Sequence, residues 1–577
     1  MKKGLIPILL ILFFSILVSL PLLKPGLFII HDDQQIARLL LFDQALKAGQ
    51  FPPRWVDELG FGFGYPLFVF YPPLVYMVGE LFHLIGFSFI DSIKLVFFTS
   101  IFASGLAMYI LVKEFWGRYA GIVSAFFYIL VPYRAIDVYI RGALAESFSF
   151  VWLPVILWSF YKLVKTNKTI YIYLSAVFLA LLMITHNLIF LPFMLILPFY
   201  LLFLIWKSNT KILSTAHCLL STVLALGLSA FFWAPAILEK KFTIVDQLLL
   251  VNLANYNIHF VFPQQLWNWP WGFGGSAAGL ADGISFKIGK LHIVLSVMSL
   301  FFAIIYLVRN KLKSYTRKEI FNFQFSIFNF FLFVFSAFMT TSYSKLIWDL
   351  VTPLGYLQFP WRFLIFTSLF SSILAGAFIY LLKLPILRLI ASLILITLLV
   401  VTNFKLFKPQ TYRPDLTDEI ATSKKIINWD VSRSSFEYVP VGLPLYKSPN
   451  DTNLLRIGTC QIPREKVRLI QGTTKIENLK GSPSKIQFTS NAQKTSPVRV
   501  NVFNFPGWQA KIDGQKTIIQ DNNPYKLITI DVPEGSHQIE VVFTNTPVRT
   551  QANTITIGTI ITMIIIYILR LRWRNIR

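Results

Sequence analysis

Two adjacent carboxylates follow the first apolar run of the chain, in Ile29-Ile30-His31-Asp32-Asp33-Gln34-Gln35, and a helical pattern then runs through Ile36, Leu39, Leu40 and Asp43 to Leu46. Paired acids beside a histidine at the mouth of an apolar helix are partly desolvated, which pushes at least one carboxyl pKa upward. That chemistry suits a general base, or part of a metal-ligand set. The same two residues could instead cap the following helix. Further on, Ala135-Ile136-Asp137-Val138-Tyr139-Ile140-Arg141-Gly142-Ala143-Leu144-Ala145-Glu146 places Arg141 and Glu146 close together. An arginine fork fits a pair of phosphate oxygens, and an Arg141–Glu146 ion pair is the competing reading. Gln358-Phe359-Pro360-Trp361-Arg362-Phe363 presents another arginine, which either binds phosphate or snorkels beside a tryptophan belt. Thr185-His186-Asn187 sets a histidine between two apolar runs. The stretch 234–290 carries Trp267, Trp269, Trp271, Gly272, Gly274, Gly275 and Asp282, aromatic faces that stack on sugars or line a membrane interface.

The elements that position these residues are set by composition. Of 577 residues, 55% are hydrophobic and only 14% charged, with a mean hydropathy of +0.60. A soluble globular chain carries about 25% charged residues. A soluble enzyme, a disordered chain and a coiled coil are excluded, and a polytopic α-helical membrane protein is required. The net charge of +25 suggests a nucleic-acid partner until the charges are located. Most of the excess sits in short loops between apolar runs, so membrane topology explains it and no nucleic-acid partner is expected. Cys218 and Cys460 lie in different segments and build neither a disulfide framework nor a zinc cluster.

About twelve spans are expected, near 5–23, 93–112, 119–134, 145–161, 170–185, 188–206, 212–233, 291–308, 322–340, 363–382, 388–404 and 552–570. One set of connecting segments and the termini hold twenty lysines and arginines against Glu114 and Glu319. By the positive-inside rule these face the cytoplasm, both termini included. The segments 24–92, 135–144, 234–290, 341–362 and 405–551, with the junction at 186, then face outward across a plasma membrane. This parity requires that 66–87, which contains Pro72, Pro73 and Glu80, lie at the interface rather than cross. The first apolar run reads as a signal anchor rather than a cleaved peptide.

Residues 405–551 break the composition. Val498–Phe503, Trp508–Ile512, Lys516–Ile519, Leu527–Val532 and His537–Phe543 alternate as strands, and Asp513-Gly514 is a hairpin signal. The expected organisation is a transmembrane domain over 1–404 with a long first outer loop at 24–92. An extracytoplasmic β-sandwich follows over 405–551, then a final span and basic tail over 552–577. About 145 residues can bury their own core without a disulfide.

An N-terminal anchor, a long first outer loop opening with acids, many helices and a C-terminal extracytoplasmic domain resemble the GT-C superfamily of membrane glycosyltransferases. More narrowly, the chain resembles membrane proteins labelled 6-pyruvoyl-tetrahydropterin synthase-related. That likeness rests on His31-Asp32-Asp33, Gly64-Tyr65-Pro66 with Phe70-Tyr71-Pro72-Pro73, Arg141-Gly142-Ala143 with Glu146, Thr185-His186-Asn187, and Phe359-Pro360-Trp361-Arg362. Phe505-Pro506-Gly507-Trp508 followed by Asp513-Gly514 also resembles YfhO-type proteins. Pterin chemistry itself is rejected: it uses a His-x-His zinc pair, and the seven histidines, at 31, 83, 186, 217, 259, 292 and 537, contain none.

The GT-C resemblance implies a polyprenyl-phosphate sugar donor, an outer-leaflet site, and an acid of the first outer loop, Asp32 or Asp33, as base or metal ligand. It further implies Arg141, Arg362 and His186 at the donor phosphate, and His31, Glu146 and Tyr65 in support. The acceptor would be an envelope glycan, lipid or protein, bound with help from the sandwich. A divalent ion, Mg²⁺ or Mn²⁺ on Asp32 and Asp33, stays open. Two other readings remain beside the transferase: a transporter or flippase of lipid-linked glycans, and a non-catalytic envelope protein.

Overall fold

The structure, a computed structural model, describes residues 2–249, 255–309, 315–382, 384–448, 451–457, 463, 465–471 and 474–576. Among the described residues, ten helices are long and apolar enough to cross a membrane. They run Phe89–Trp116, Arg118–Arg141, Leu144–Thr166, Asn187–Lys207, Lys211–Leu228, Lys290–Arg309, Arg317–Met339, Pro360–Leu381, Pro385–Leu406 and Pro547–Leu569. The protein is a multi-pass membrane protein with a C-terminal sheet domain. Two of the twelve expected spans are shorter apolar helices, Leu5–Val18 and Thr169–Thr185. The span expected at 119–134 continues to Arg141, so the residues read from the sequence as the outer loop 135–144 are largely helical. The segment 66–87 folds as two helices, Leu67–Phe70 and Leu74–Leu84. Eleven residues extend about 16 Å, well short of the ~30 Å hydrocarbon core.

The chain forms two compact units that cut it differently from its composition. The first comprises Met1–Asp33, Ile90–Gly227 and Asn255–Leu416. Its central helix is Arg118–Arg141, whose apolar window is wholly buried, whereas that of Pro385–Leu406 is 11% buried and turns its side chains outward. That contrast is what a bilayer requires: central helices bury every face and peripheral ones leave an apolar face to lipid. Buried serines such as Ser159, Ser296 and Ser368 return their hydroxyls to carbonyls of their own helices, which spares those hydroxyls an unsatisfied place in hydrocarbon. A short ribbon, Leu27–Phe28 with Tyr412–Arg413, joins the end of the N-terminal segment to the end of the unit.

The second unit comprises Gln34–Phe89, Leu228–Ala254 and Thr417–Arg577. Its larger antiparallel sheet runs in the order Gln515–Thr517, Trp508–Ile512, Gly535–Phe543, Lys485–Ala492, Thr474–Ser482. A three-stranded sheet orders Leu527–Val532, Ser496–Phe503, Val467–Leu469. Period-two burial on Ile486 and Phe488, Ile539 and Val541, and Val498, Val500 and Val502 gives each sheet one covered face. Asp513 and Gly514 both take positive φ, 49° and 84°, which makes the two-residue turn the sequence signals. Residues of the first outer loop pack here. Trp55 lies 5.3 Å edge-on from Trp508 and 5.2 Å from Phe543, and the Phe503 N–H donates to the Phe63 carbonyl at 2.9 Å. Gly64 has φ +85°, and a Cβ there would sit 2.5 Å from the Trp55 ring, so this position admits only glycine.

The last helix, Pro547–Ile576, is fastened at its start. Arg549 donates from Nε to Glu239 Oε2 at 2.9 Å and from Nη2 to the Pro506 carbonyl at 2.9 Å. Both side chains are buried. Leaving one half of a buried pair costs about 3–5 kcal/mol. Glu239→Gln is therefore expected to lower the thermal midpoint of the detergent-solubilised protein by several degrees, read by intrinsic-fluorescence unfolding. An unchanged midpoint would show that the pair is dispensable.

Candidate functional site

The site is built in the first unit where the ends of several apolar helices meet. Pro132 opens a helix to Ile136, and Asp137–Arg141 then makes a single π turn, the wider winding often found at functional positions. The turn stops at Gly142, φ +66°, whose Cβ would lie 2.4 Å from Ile30 Cδ1. Glycine there lets the N-terminal segment lie along the turn. His31 N–H donates to the Ile140 carbonyl at 3.1 Å, and Asp32 N–H to the Arg141 carbonyl at 2.7 Å. Helix Leu144–Thr166 starts at once and brings Glu146 back toward Arg141. Pro360–Phe363 is the 3₁₀ start of another span and delivers Trp361 and Arg362. His186 is the extended residue between Thr169–Thr185 and Asn187–Lys207.

Arg141 Nη1 donates to Asp137 Oδ1 at 2.7 Å and to Glu146 Oε2 at 2.8 Å. The Tyr133 hydroxyl donates to Glu146 Oε1. Arg362 Nε stands 3.6 Å from Glu146 Oε2, and Arg362 Nη1 donates to the Leu357 carbonyl at 2.6 Å. The Trp361 ring covers Arg141 at 4.6 Å, and Phe359 faces Arg362 at 5.3 Å. Asp32, half-buried, acts electrostatically on both arginines, and Glu146 on His186. Among the described residues, four buried polar atoms of this cluster meet no hydrogen-bond partner: Asp137 Oδ2, His186 Nδ1, Trp361 Nε1 and Arg362 Nε. Each such atom costs about 1–3 kcal/mol while it lacks a partner.

The structure thus brings together Asp32, Arg141, Glu146, His186 and Arg362. Arg141 is engaged by two carboxylates, the ion pair that the sequence left open against phosphate binding. Arg362 makes one good hydrogen bond, and its Nε, paired by charge with Glu146, makes none. Burial, then the charge of Arg362 and Arg141, pushes the His186 imidazole down to about 3 against the opposing pull of Glu146. At neutral pH it is uncharged and can hydrogen-bond a ligand without adding a cation. Asp33 is exposed, one residue past Asp32, and the helix that follows is capped at Gln34 with no side-chain cap bond. His31 is exposed, with Nε2 3.0 Å from the Phe273 carbonyl, and so meets the glycine-rich stretch rather than the arginines. Tyr65 belongs to the second unit, where its hydroxyl accepts from the Tyr438 N–H at 2.9 Å. Among the described residues no three His, Cys, Asp or Glu side chains group as metal ligands, and the charged partners of Asp32 here are guanidiniums.

Asp137 and Tyr133 were missed in the sequence. Asp137 precedes Arg141 by four residues, the spacing of an intrahelical ion pair, but that spacing carries a signal only in a helix, and 135–144 reads as a loop. Tyr133 gave no signal of its own.

No family model matches the chain. An uncharacterized protein of Lactococcus lactis subsp. cremoris (strain MG1363) is 27% identical over 246 residues, 40% of this chain and 39% of that protein. Among solved structures, ArnT from Cupriavidus metallidurans bound to undecaprenyl phosphate is similar over 70% of this chain and 64% of its own, with 12% identity and a TM-score of 0.37. The chain therefore spans about two fifths of the curated relative and just under two thirds of ArnT.

Two outcomes follow. Glu146→Ala leaves Arg362 without its carboxylate and Arg141 with one of two, and is expected to cost about 3–5 kcal/mol of stability; thermal unfolding in detergent checks it. Because His186 is neutral well above pH 3, the pH dependence of ligand binding between pH 5 and 8 should be the same for wild type and His186→Gln. A binding limb in that window that disappears in the variant would contradict a neutral His186.

Proposed function

We propose that the protein is a membrane glycosyltransferase that moves a sugar from a polyprenyl-phosphate donor to an envelope acceptor on the extracytoplasmic side. The observation that carries this reading is the meeting of a half-buried acid, Asp32, with a buried and incompletely bonded arginine, Arg362, at the ends of membrane helices. Ionisable groups at membrane depth are costly and are kept where they act on a substrate. The sequence resemblance to GT-C enzymes supports the same class.

In this mechanism the donor phosphate lies against Arg362, with the neutral His186 as a hydrogen-bonding neighbour. Arg141, clamped by Asp137 and Glu146, is a positioning residue that fixes Glu146 and, through Trp361, the start of the Arg362 helix. Asp32 takes the proton of the acceptor hydroxyl as its oxygen bonds to the anomeric carbon. The bond from that carbon to the phosphate oxygen breaks, and its electrons remain on the departing polyprenyl phosphate. Arg362 stabilises that charge as it develops. A single displacement inverts the anomeric configuration. No step is assigned to a divalent ion. The charged groups cluster at helix ends rather than at the midplane, which favours transfer over transport.

The test is release of polyprenyl phosphate from a panel of polyprenyl-phosphate sugars by purified protein, with and without Mg²⁺ or Mn²⁺. Asp32→Asn should slow release by about 10²-fold or more, the usual worth of a general base. Arg362→Lys should also slow it, because the charge is kept and the fork is lost. Asp33→Asn should stay near wild type. An inactive Asp33→Asn beside an active Asp32→Asn would reverse the assignment of the base. Failure of every donor to bind would remove the transferase reading.

A further inference from the structure

The first unit carries a second concentration of positive charge that the site above does not use. Lys287 lies half-buried just after Phe286, which stacks on Trp361 at 5.6 Å. Lys290 begins the helix Lys290–Arg309, and Lys405 is exposed near the end of the span Pro385–Leu406. Burial, then the charges of Lys405 and Lys290, holds the Lys287 ammonium below the usual lysine range. Like charges gathered without a carboxylate are unfavourable. Among the described residues none of the three forms an ion pair, and two face indoles instead: Lys287 over Trp271 at 5.1 Å and Lys290 over Trp267 at 5.8 Å. Trp271 also keeps a buried Nε1 without a partner. In the topology proposed above these lysines face outward, where the positive-inside rule supplies no reason for a basic cluster.

We propose that Lys287, Lys290 and Lys405, with the faces of Trp271 and Trp267, form a second phosphate-binding site, separate from Arg362. It takes a phosphate ester carried on a saccharide or on a lipid headgroup. The lysines neutralise the phosphate as point charges. The indole faces and the free Trp271 N–H accept the group attached to it, an apolar sugar face or the glycerol region of a lipid. The site stands whether or not Asp32 acts as a base.

The test is binding, so its failure is distinguishable from failure of the transfer reaction. Protein in nanodiscs of zwitterionic lipid is titrated calorimetrically with inorganic pyrophosphate. In a parallel arm, protein in mixed phosphatidylglycerol discs is ejected for native mass spectrometry and its retained anionic lipids are counted. Pyrophosphate binding favours a soluble phosphosaccharide; retained phosphatidylglycerol without pyrophosphate binding favours a lipid headgroup; either supports the site. Lys290→Gln and Lys405→Gln, both at exposed positions, should each weaken the positive arm by about tenfold. Lys287→Arg should retain it. Absence of binding in both arms, or wild-type binding by Lys290→Gln/Lys405→Gln, would overturn the proposal.

Discussion

Glu146, held between Arg141 and Arg362, is the interaction on which the site depends. Its carboxylate takes a hydrogen bond from each of Arg141 and Tyr133 and stands 3.6 Å from Arg362 Nε. Three helix ends are fixed by this one side chain: the end of Arg118–Arg141, the start of Leu144–Thr166 and the start of Pro360–Leu381. In water such an arrangement would be worth little, because exposed pairs gain almost nothing. At membrane depth an unpaired charge is so unfavourable that the alternative arrangements disappear. The pairing thus confers specificity of geometry more than net stability. Asp32 arrives by a different route, through backbone hydrogen bonds to Ile140 and Arg141 that Gly142 makes room for.

The arrangement divides labour between two arginines that look alike in the sequence. Arg141 holds two carboxylates through its Nη1 and lies under an indole face. Arg362 has a carbonyl partner at Nη1, while its Nε stands in ion-pair range of Glu146 without a hydrogen bond and so retains hydrogen-bonding capacity. The second unit uses the same physics for a structural purpose. There Glu239 fixes Arg549, which reaches on to the Pro506 carbonyl and so ties the last helix to the turn before the strand Trp508–Ile512.

Much of this organisation was legible in the residues. Apolar run length gave the helical membrane architecture, and alternation with Asp513-Gly514 gave four strands close to their observed bounds. His31-Asp32-Asp33, Arg141 with Glu146, His186 and Arg362 were singled out by residue type at the ends of apolar runs. What escaped had physical reasons. The π turn at Asp137–Arg141 has no pattern that separates it from a polar loop, so Asp137 was passed over. The strand Thr474–Ser482 hides its alternation behind a bulge at Glu477/Lys480 and a positive φ at Asn478. The choice between Asp32 and Asp33 is invisible in a dipeptide, because it depends on which side chain the backbone pairing with Arg141 turns toward the cluster. Tyr65, taken from a motif, belongs to the other unit, since the glycine turns around it pack on Trp55 and Phe503.

The most direct measurement is a cryo-electron microscopy structure of the protein in nanodiscs with bound polyprenyl phosphate. Phosphate density is expected within hydrogen-bonding distance of Arg362, with Arg141 still clamped by Asp137 and Glu146 and the Asp32 carboxylate facing the same space. Phosphate density elsewhere, with Arg362 still bonded to the Leu357 carbonyl and no group against its Nε, would contradict it.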